Sequence, residues 1–173
     1  MEIRRCRTEE IEKTGAFYDS VVLWLTEHVN YPKWVYGIYP STDFVKEMTE
    51  DESQYVCLKD GRLCGAFVLN EDPQGKYQKG SWETYVPDGS YLVMHAVAVD
   101  QEMAGQGIGT EIIRFCEEKA KAGGYKALRI DVVPENTPAK EFYLKNGFRY
   151  AGDCDLERGI DGIPVFSLYE MNM

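Results

Sequence analysis

The chain has 173 residues, 44% of them hydrophobic and 28% charged, with a formal net charge of −10. That length suits one domain with a substantial core, and the composition is that of a soluble globular protein rather than a disordered chain. The acidic balance argues against docking on phosphate backbones, and no apolar run approaches the ~20 residues of a membrane span, so neither nucleic acid nor a membrane is an expected partner.

Met1-Glu2-Ile3-Arg4-Arg5 leads into a charged stretch with no apolar segment behind it, so a cytoplasmic protein is expected. Ile3 to Cys6 reads as a short strand, and Thr8 with Glu9 and Glu10 as the start of a long helix, a capping oxygen followed by acids at the positive end of the dipole. Ile11, Tyr18, Val22, Leu25 and Val29 then fall on one helical stripe. Residues 31 to 39 are irregular and aromatic, and Ser41 or Thr42 caps a second helix carrying Phe44, Val45 and Met48.

Tyr55 to Leu58 and Leu63 to Leu69 are β-rich runs around Asp60-Gly61, which supplies the positive φ angles of a tight hairpin. Residues 71 to 90 are polar and glycine-containing, a long loop in which Trp82 and Tyr85 mark a further candidate strand. Tyr91 to Val99 is nearly unbroken apolar chain, the pattern of a central strand covered on both faces. Ile108, Ile112, Phe115 and Cys116 stripe a helix that ends near Gly123-Gly124, and Leu128 to Val133 follows as another central strand. Thr137-Pro138 opens a short helix with Ala139, Phe142 and Tyr143, closed by Gly147, and two strands near 148–156 and 165–171 complete a mixed α/β or α+β domain over 1–173. The five cysteines are scattered, with no Cys-x-x-Cys and two histidines beside them; they read as reduced, mostly buried thiols, and no metal site is expected.

The chemistry concentrates where the strand ending Val97-Ala98-Val99 runs into Ala104-Gly105-Gln106-Gly107-Ile108-Gly109-Thr110 and a helix begins. Glycines let a ligand approach the backbone, and the unpaired amides of a helix start, with the macrodipole behind them, suit a phosphate or pyrophosphate. The Walker A pattern fails for want of a lysine before Thr110, and the dinucleotide fingerprint fails because Thr110 stands where it needs glycine.

This segment resembles the CoA-binding motif of the GNAT superfamily, Arg/Gln-x-x-Gly-x-Gly/Ala after a central strand. It reads here Ala104-x-x-Gly107-x-Gly109, and a second family feature follows as Asn136-x-x-Ala139-x-x-x-Tyr143 with Asn146-Gly147-Phe148. The resemblance covers about 75 residues. It implies a central mixed, mostly antiparallel sheet of about seven strands flanked by about four helices. It also implies an N-acetyltransferase that moves acetyl from acetyl-CoA to a primary amine of a small molecule or peptide by direct attack, releasing CoA. By the same resemblance the cofactor lies in a gap beside the Val97 to Val99 strand, whose amides bind pantetheine and polarise the thioester carbonyl, with Ala104 to Thr110 on the pyrophosphate and Asn136 on the cofactor. Tyr143 is then the candidate acid for the departing thiolate, and Asp131 and His95 are the candidate bases, with ordered water as the alternative. Ala104 departs from the pattern, since it lacks the arginine or glutamine that touches the pyrophosphate. A GNAT-shaped module that binds acyl-CoA without turnover is the competing reading, and a homodimer is compatible with either.

Overall fold

The structure, a computed structural model, describes residues 1–173 in full. Its strands are β1 (Glu2–Arg5), β2 (Gln54–Lys59), β3 (Arg62–Asn70), β4 (Tyr91–Val99), β5 (Ala127–Val132), β6 (Arg149–Cys154) and β7 (Phe166–Asn172), and its helices α1 (Ile11–Glu27), α2 (Thr42–Glu50), α3 (Ile108–Ala122) and α4 (Thr137–Lys145). The sheet order is β1-β2-β3-β4-β5-β7-β6. Of the registered pairs, β4 with β5 is parallel, while β1 with β2, β2 with β3, β5 with β7 and β6 with β7 are antiparallel. The seven strands and four helices are those the resemblance implies. By contact the chain divides into two compact units, Met1–Leu69 with His95–Phe115 and Asn70–Met94 with Cys116–Met173.

In the first unit the apolar stripe of α1 is realised through Ile11, Tyr18 and Val22, and Val29 lies beyond the helix and exposed. Ile11, Tyr18 and Val21 of α1 and Val45 of α2 pack with Ala66, Ala96 and Ala98, so both helices cover one sheet face. The hairpin turn forms at Asp60 (φ 53°) and Gly61 (φ 78°) as the Asp-Gly signal requires. Ser41, not Thr42, caps α2, its Oγ accepting from the Phe44 amide at 3.2 Å. Thr8 is not a cap. Thr8–Glu10 form a 3₁₀ turn ahead of α1, and the Glu10 carboxylate reaches back to the Arg7 amide at 3.0 Å.

That carboxylate also takes two hydrogen bonds from Arg4, at 2.7 and 2.8 Å, and this pairing holds its pKa down to about 2. A carboxylate whose folded pKa lies below its unfolded value adds stability that is full above the unfolded pKa and is lost as pH falls toward the folded one. The Arg4–Glu10 contribution therefore stands at pH 5 and disappears between about pH 4.5 and 2. Because both side chains keep 22% exposure, solvent screening limits it to about 1 kcal/mol. Urea midpoints should place Glu10→Gln below wild type at pH 6, with the two converging near pH 2; parallel curves would remove the pair as a stabiliser.

The second unit packs Tyr77, Tyr91, Val93, Ala127, Leu156, Phe166 and Leu168 into its own core. Residues 71 to 90 form no strand: a 3₁₀ turn at Tyr77–Lys79 interrupts the loop, Trp82 folds back to donate its indole N–H to the Tyr77 carbonyl at 2.6 Å, and Tyr85 is exposed. Four of the five cysteines are buried, and Cys154 is partly so. No helix is long and apolar enough to cross a membrane.

Candidate active site

Pairing of β4 with β5 runs through Tyr91, Leu92 and Val93. Three residues later Ala96 takes φ +47°, a left-handed conformation that costs a residue with a Cβ roughly 1–2 kcal/mol and breaks the two-residue alternation of the strand. The distortion is held from α1, whose buried Tyr18 donates its hydroxyl hydrogen to the Ala96 carbonyl at 2.9 Å. Gln54 fixes the same neighbourhood by donating to the Phe67 and Tyr55 carbonyls, each at 3.0 Å. Val97, Ala98 and Val99 follow the irregular residue directly and precede the glycine turn.

Asp100 ends β4, its carboxylate accepting from the Glu102 amide at 2.9 Å, and a 3₁₀ turn at Gln101–Met103 leads to Ala104. Gly105 and Gly107 have φ +77° and +80°, which is why glycine stands at both. A Cβ on either would meet nothing within 4 Å, so the space over the turn is open. The Glu111 amide reaches the Gly107 carbonyl at 3.0 Å, the first bond of α3. The amides of Gly105, Gly107, Ile108, Gly109 and Thr110 donate to no acceptor in the protein. Unclaimed donors at a helix start, under the positive end of its dipole, fit a pyrophosphate.

Gln106 points elsewhere, its Oε1 accepting from the Lys59 ammonium at 2.9 Å. Ala104 offers the turn no polar side chain. Beside this pair, Arg62 donates to Asp100 and Glu102, each at 2.7 Å.

His95, buried in β4, belongs to the same unit as the turn. The other three singled-out residues belong to the second unit. Asn136 is the N-cap of α4, its Oδ1 accepting from the Ala139 amide at 3.2 Å. Tyr143 is buried, its ring set edge-on to Phe148 at 5.4 Å and near Tyr169 at 6.4 Å. Burial pushes its phenol well above the ordinary value. Its hydroxyl has no hydrogen-bond partner in the protein, whereas Tyr18, Tyr77 and Tyr91, also buried, each donate to an acceptor.

Asp131 is placed differently from a waiting base. Arg158 grips both of its oxygens at 2.7 Å, and the Tyr77 hydroxyl donates to Oδ2 at 2.6 Å. The same guanidinium donates to the carbonyls of Pro73 and Gln74, at 2.9 and 2.5 Å, and lies over the Phe166 ring. Asp131 thus ties β5 to two connections, the loop after β3 and the one between β6 and β7.

A parallel β4-α3-β5 crossover, whose entry turn presents five unclaimed amides, defines an α/β protein. The chain belongs to the acetyltransferase (GNAT) family, whose model matches residues 21–148. It is similar to an uncharacterized N-acetyltransferase of Methanocaldococcus jannaschii, 34% identical over 99 residues, 57% of this chain and 40% of that one. A second uncharacterized N-acetyltransferase, from Bacillus subtilis, is 24% identical over 57% of this chain and 53% of its own. The matched segment thus spans about half, or less, of the length of these curated relatives. In fold the chain is similar to a GNAT-family acetyltransferase from Streptococcus agalactiae, with a TM-score of 0.81, 18% identity and coverage of 99% of this chain and 95% of that one. It is similar also to a Salmonella typhimurium protein solved with its cofactor acetyl-CoA, at a TM-score of 0.70, 14% identity and coverage of 99% and 93%.

Proposed function

We propose that the protein is an N-acetyltransferase that uses acetyl-CoA to acetylate a primary amine of a small molecule or peptide. The observation that carries this reading is the set of five unclaimed amides at Gly105, Gly107, Ile108, Gly109 and Thr110 at the start of α3, with open space over Gly105 and Gly107. Family membership and the acetyl-CoA bound to the Salmonella protein of the same fold support it.

Acetyl-CoA, when bound, supplies an acyl group activated as a thioester and a thiolate able to leave. In this reading the five amides hold the pyrophosphate, and the amides of Val97 to Val99 orient the pantetheine and stabilise negative charge developing on the carbonyl oxygen. Such fixed donors reorganise little during reaction, and the loss of one typically costs ~10² to 10³ in rate. Asn136 keeps its side-chain N–H groups for the cofactor while its oxygen caps α4.

Tyr143 would serve the departing thiolate. A phenol raised above its ordinary value is a weaker acid than a thiol, so its part is to donate a hydrogen bond to the thiolate rather than to end as a phenolate. The amine must lose a proton from an ammonium with a pKa near 10.4. His95, on β4 just ahead of Val97 to Val99, is assigned that proton, with ordered water as the alternative carrier. Asp131 is not assigned it, because Arg158 and Tyr77 already occupy both of its oxygens.

Isothermal titration with acetyl-CoA and with CoA tests the reading. Micromolar binding is expected, and no heat at millimolar ligand would overturn it. Gly107→Asp is expected to weaken CoA at least about tenfold, because it sets a carboxylate where pyrophosphate should lie, and like charges ~4 Å apart at a protein surface repel by ~1 to 4 kcal/mol. Unchanged affinity in a folded Gly107→Asp protein would move the phosphates away from this turn. Release of free thiol in the presence of an amine panel separates an enzyme from a module that only binds acyl-CoA.

A further inference from the structure

The glycine turn has a cation that does not come from the motif. Lys59 ends β2 beside the Asp60–Gly61 reversal, and its ammonium sits 2.9 Å from Oε1 of Gln106, in the middle of the turn. The tip of the same hairpin carries Arg62, and the two cations differ in what they face. Arg62 is neutralised by Asp100 and Glu102. Lys59 has a neutral amide oxygen for a partner and forms no ion pair, so its charge is uncompensated at the rim of the unclaimed amides. The chain carries 29 acidic residues against 19 basic ones, and the carboxylates beside the turn, Asp100, Glu102 and Glu111, are paired with Arg62 and Arg114, so an incoming polyanion meets a net negative protein in which Lys59 is the uncompensated cation at the turn. Ala104 contributes no charge there.

We propose that Lys59, delivered by the β2–β3 hairpin and steadied by Gln106, is the cationic contact for a phosphate of CoA in this protein, in the place of the side chain that Ala104 lacks. The inference rests on the assignment of the turn to CoA. A lysine is suited to the part because its ammonium is a compact point charge on a flexible stem, free to leave a neutral acceptor for a phosphate oxygen once ligand arrives. Exchange of one acceptor for the other needs no proton transfer.

The test is the affinity of Lys59→Met for CoA, measured by isothermal titration at about 50 and 200 mM salt. Methionine keeps the apolar stem and removes the charge. The variant is expected to bind CoA about tenfold more weakly at the lower salt, a charge-assisted contact discounted for exposure. Its affinity should also fall less steeply with salt, since the screened ion pair is gone. Adding Ala104→Arg to Lys59→Met is expected to restore both the affinity and the salt dependence. If wild type binds CoA and Lys59→Met binds equally with the same salt dependence, Lys59 only staples the hairpin to the turn, and the inference fails while the cofactor assignment stands. A loss of affinity equal at both salts and not restored by Ala104→Arg would overturn it in the same way. If wild type itself binds no CoA, the cofactor assignment fails, and this inference fails with it.

Discussion

Tyr143→Phe is expected to lower kcat by about 10² while leaving the urea midpoint within about 0.5 kcal/mol of wild type. The two halves of that expectation come from the same local geometry. The ring is buried against Phe148 and Tyr169, and phenylalanine keeps those contacts. The hydroxyl satisfies no group of the protein, so deleting it orphans no donor or acceptor, which is the usual source of a large penalty. The same deletion at Tyr18 would strand the Ala96 carbonyl at the distorted point of β4. In the proposed reaction the Tyr143 hydroxyl is the hydrogen-bond donor to the leaving thiolate, and this is the role the substitution removes. Because burial raises its pKa, Tyr143 stays protonated throughout the neutral and mildly alkaline range, so kcat should show no alkaline fall from this group below about pH 10. An unchanged kcat in a folded Tyr143→Phe protein would remove Tyr143 from the chemistry, and a lost midpoint would make it a packing residue.

How much of this was legible in the sequence differs from one element to the next. The glycine turn was, because Gly105 and Gly107 must take positive φ and no other residue type does so freely. So was the hairpin at Asp60-Gly61, for the same reason, and the 91–99 strand through its unbroken apolar run. Ala96 was not. Alanine carries no signal for a left-handed backbone, and the irregularity exists because Tyr18, 78 residues earlier, bonds its carbonyl. Lys59 was equally invisible, since its distance from Gln106 is created by the sheet closing over 47 positions. Arg129 sits between Leu128 and Ile130, where a charge breaks an apolar run and could have been noticed; the structure buries it between the Trp82 and Tyr91 rings, at 3.9 and 4.1 Å. Asp131 was legible as a polar group on β5 but not as a partner of Arg158, which lies 27 residues on, in a connection with no periodicity to read.

That last pair gives the largest expected effect on stability. Arg158→Ala should destabilise the protein by about 3 to 5 kcal/mol, because it leaves the Asp131 carboxylate buried with Tyr77 alone and takes a donor from the Pro73 and Gln74 carbonyls. The side chains of Arg158 and Asp131 are 14% and 9% exposed, so water cannot stand in for the lost guanidinium as it would at an open surface pair. For a chain of this size the loss corresponds to a fall in Tm of roughly 6 to 20 °C, a large share of the ~5 to 15 kcal/mol that holds a typical domain together. Removing both partners as Arg158→Met with Asp131→Leu should cost less than Arg158→Ala alone, since no unpaired charge then remains. Asp131→Asn separates the clamp from the base. As a clamp it loses stability because its amide N–H₂ meets the guanidinium donors, while kcat at a temperature where the protein stays folded changes little. As a base it loses kcat by 10² or more, and a fall of that size with an unmoved melting transition would return Asp131 to the reaction and leave Arg158 as the group that tunes it.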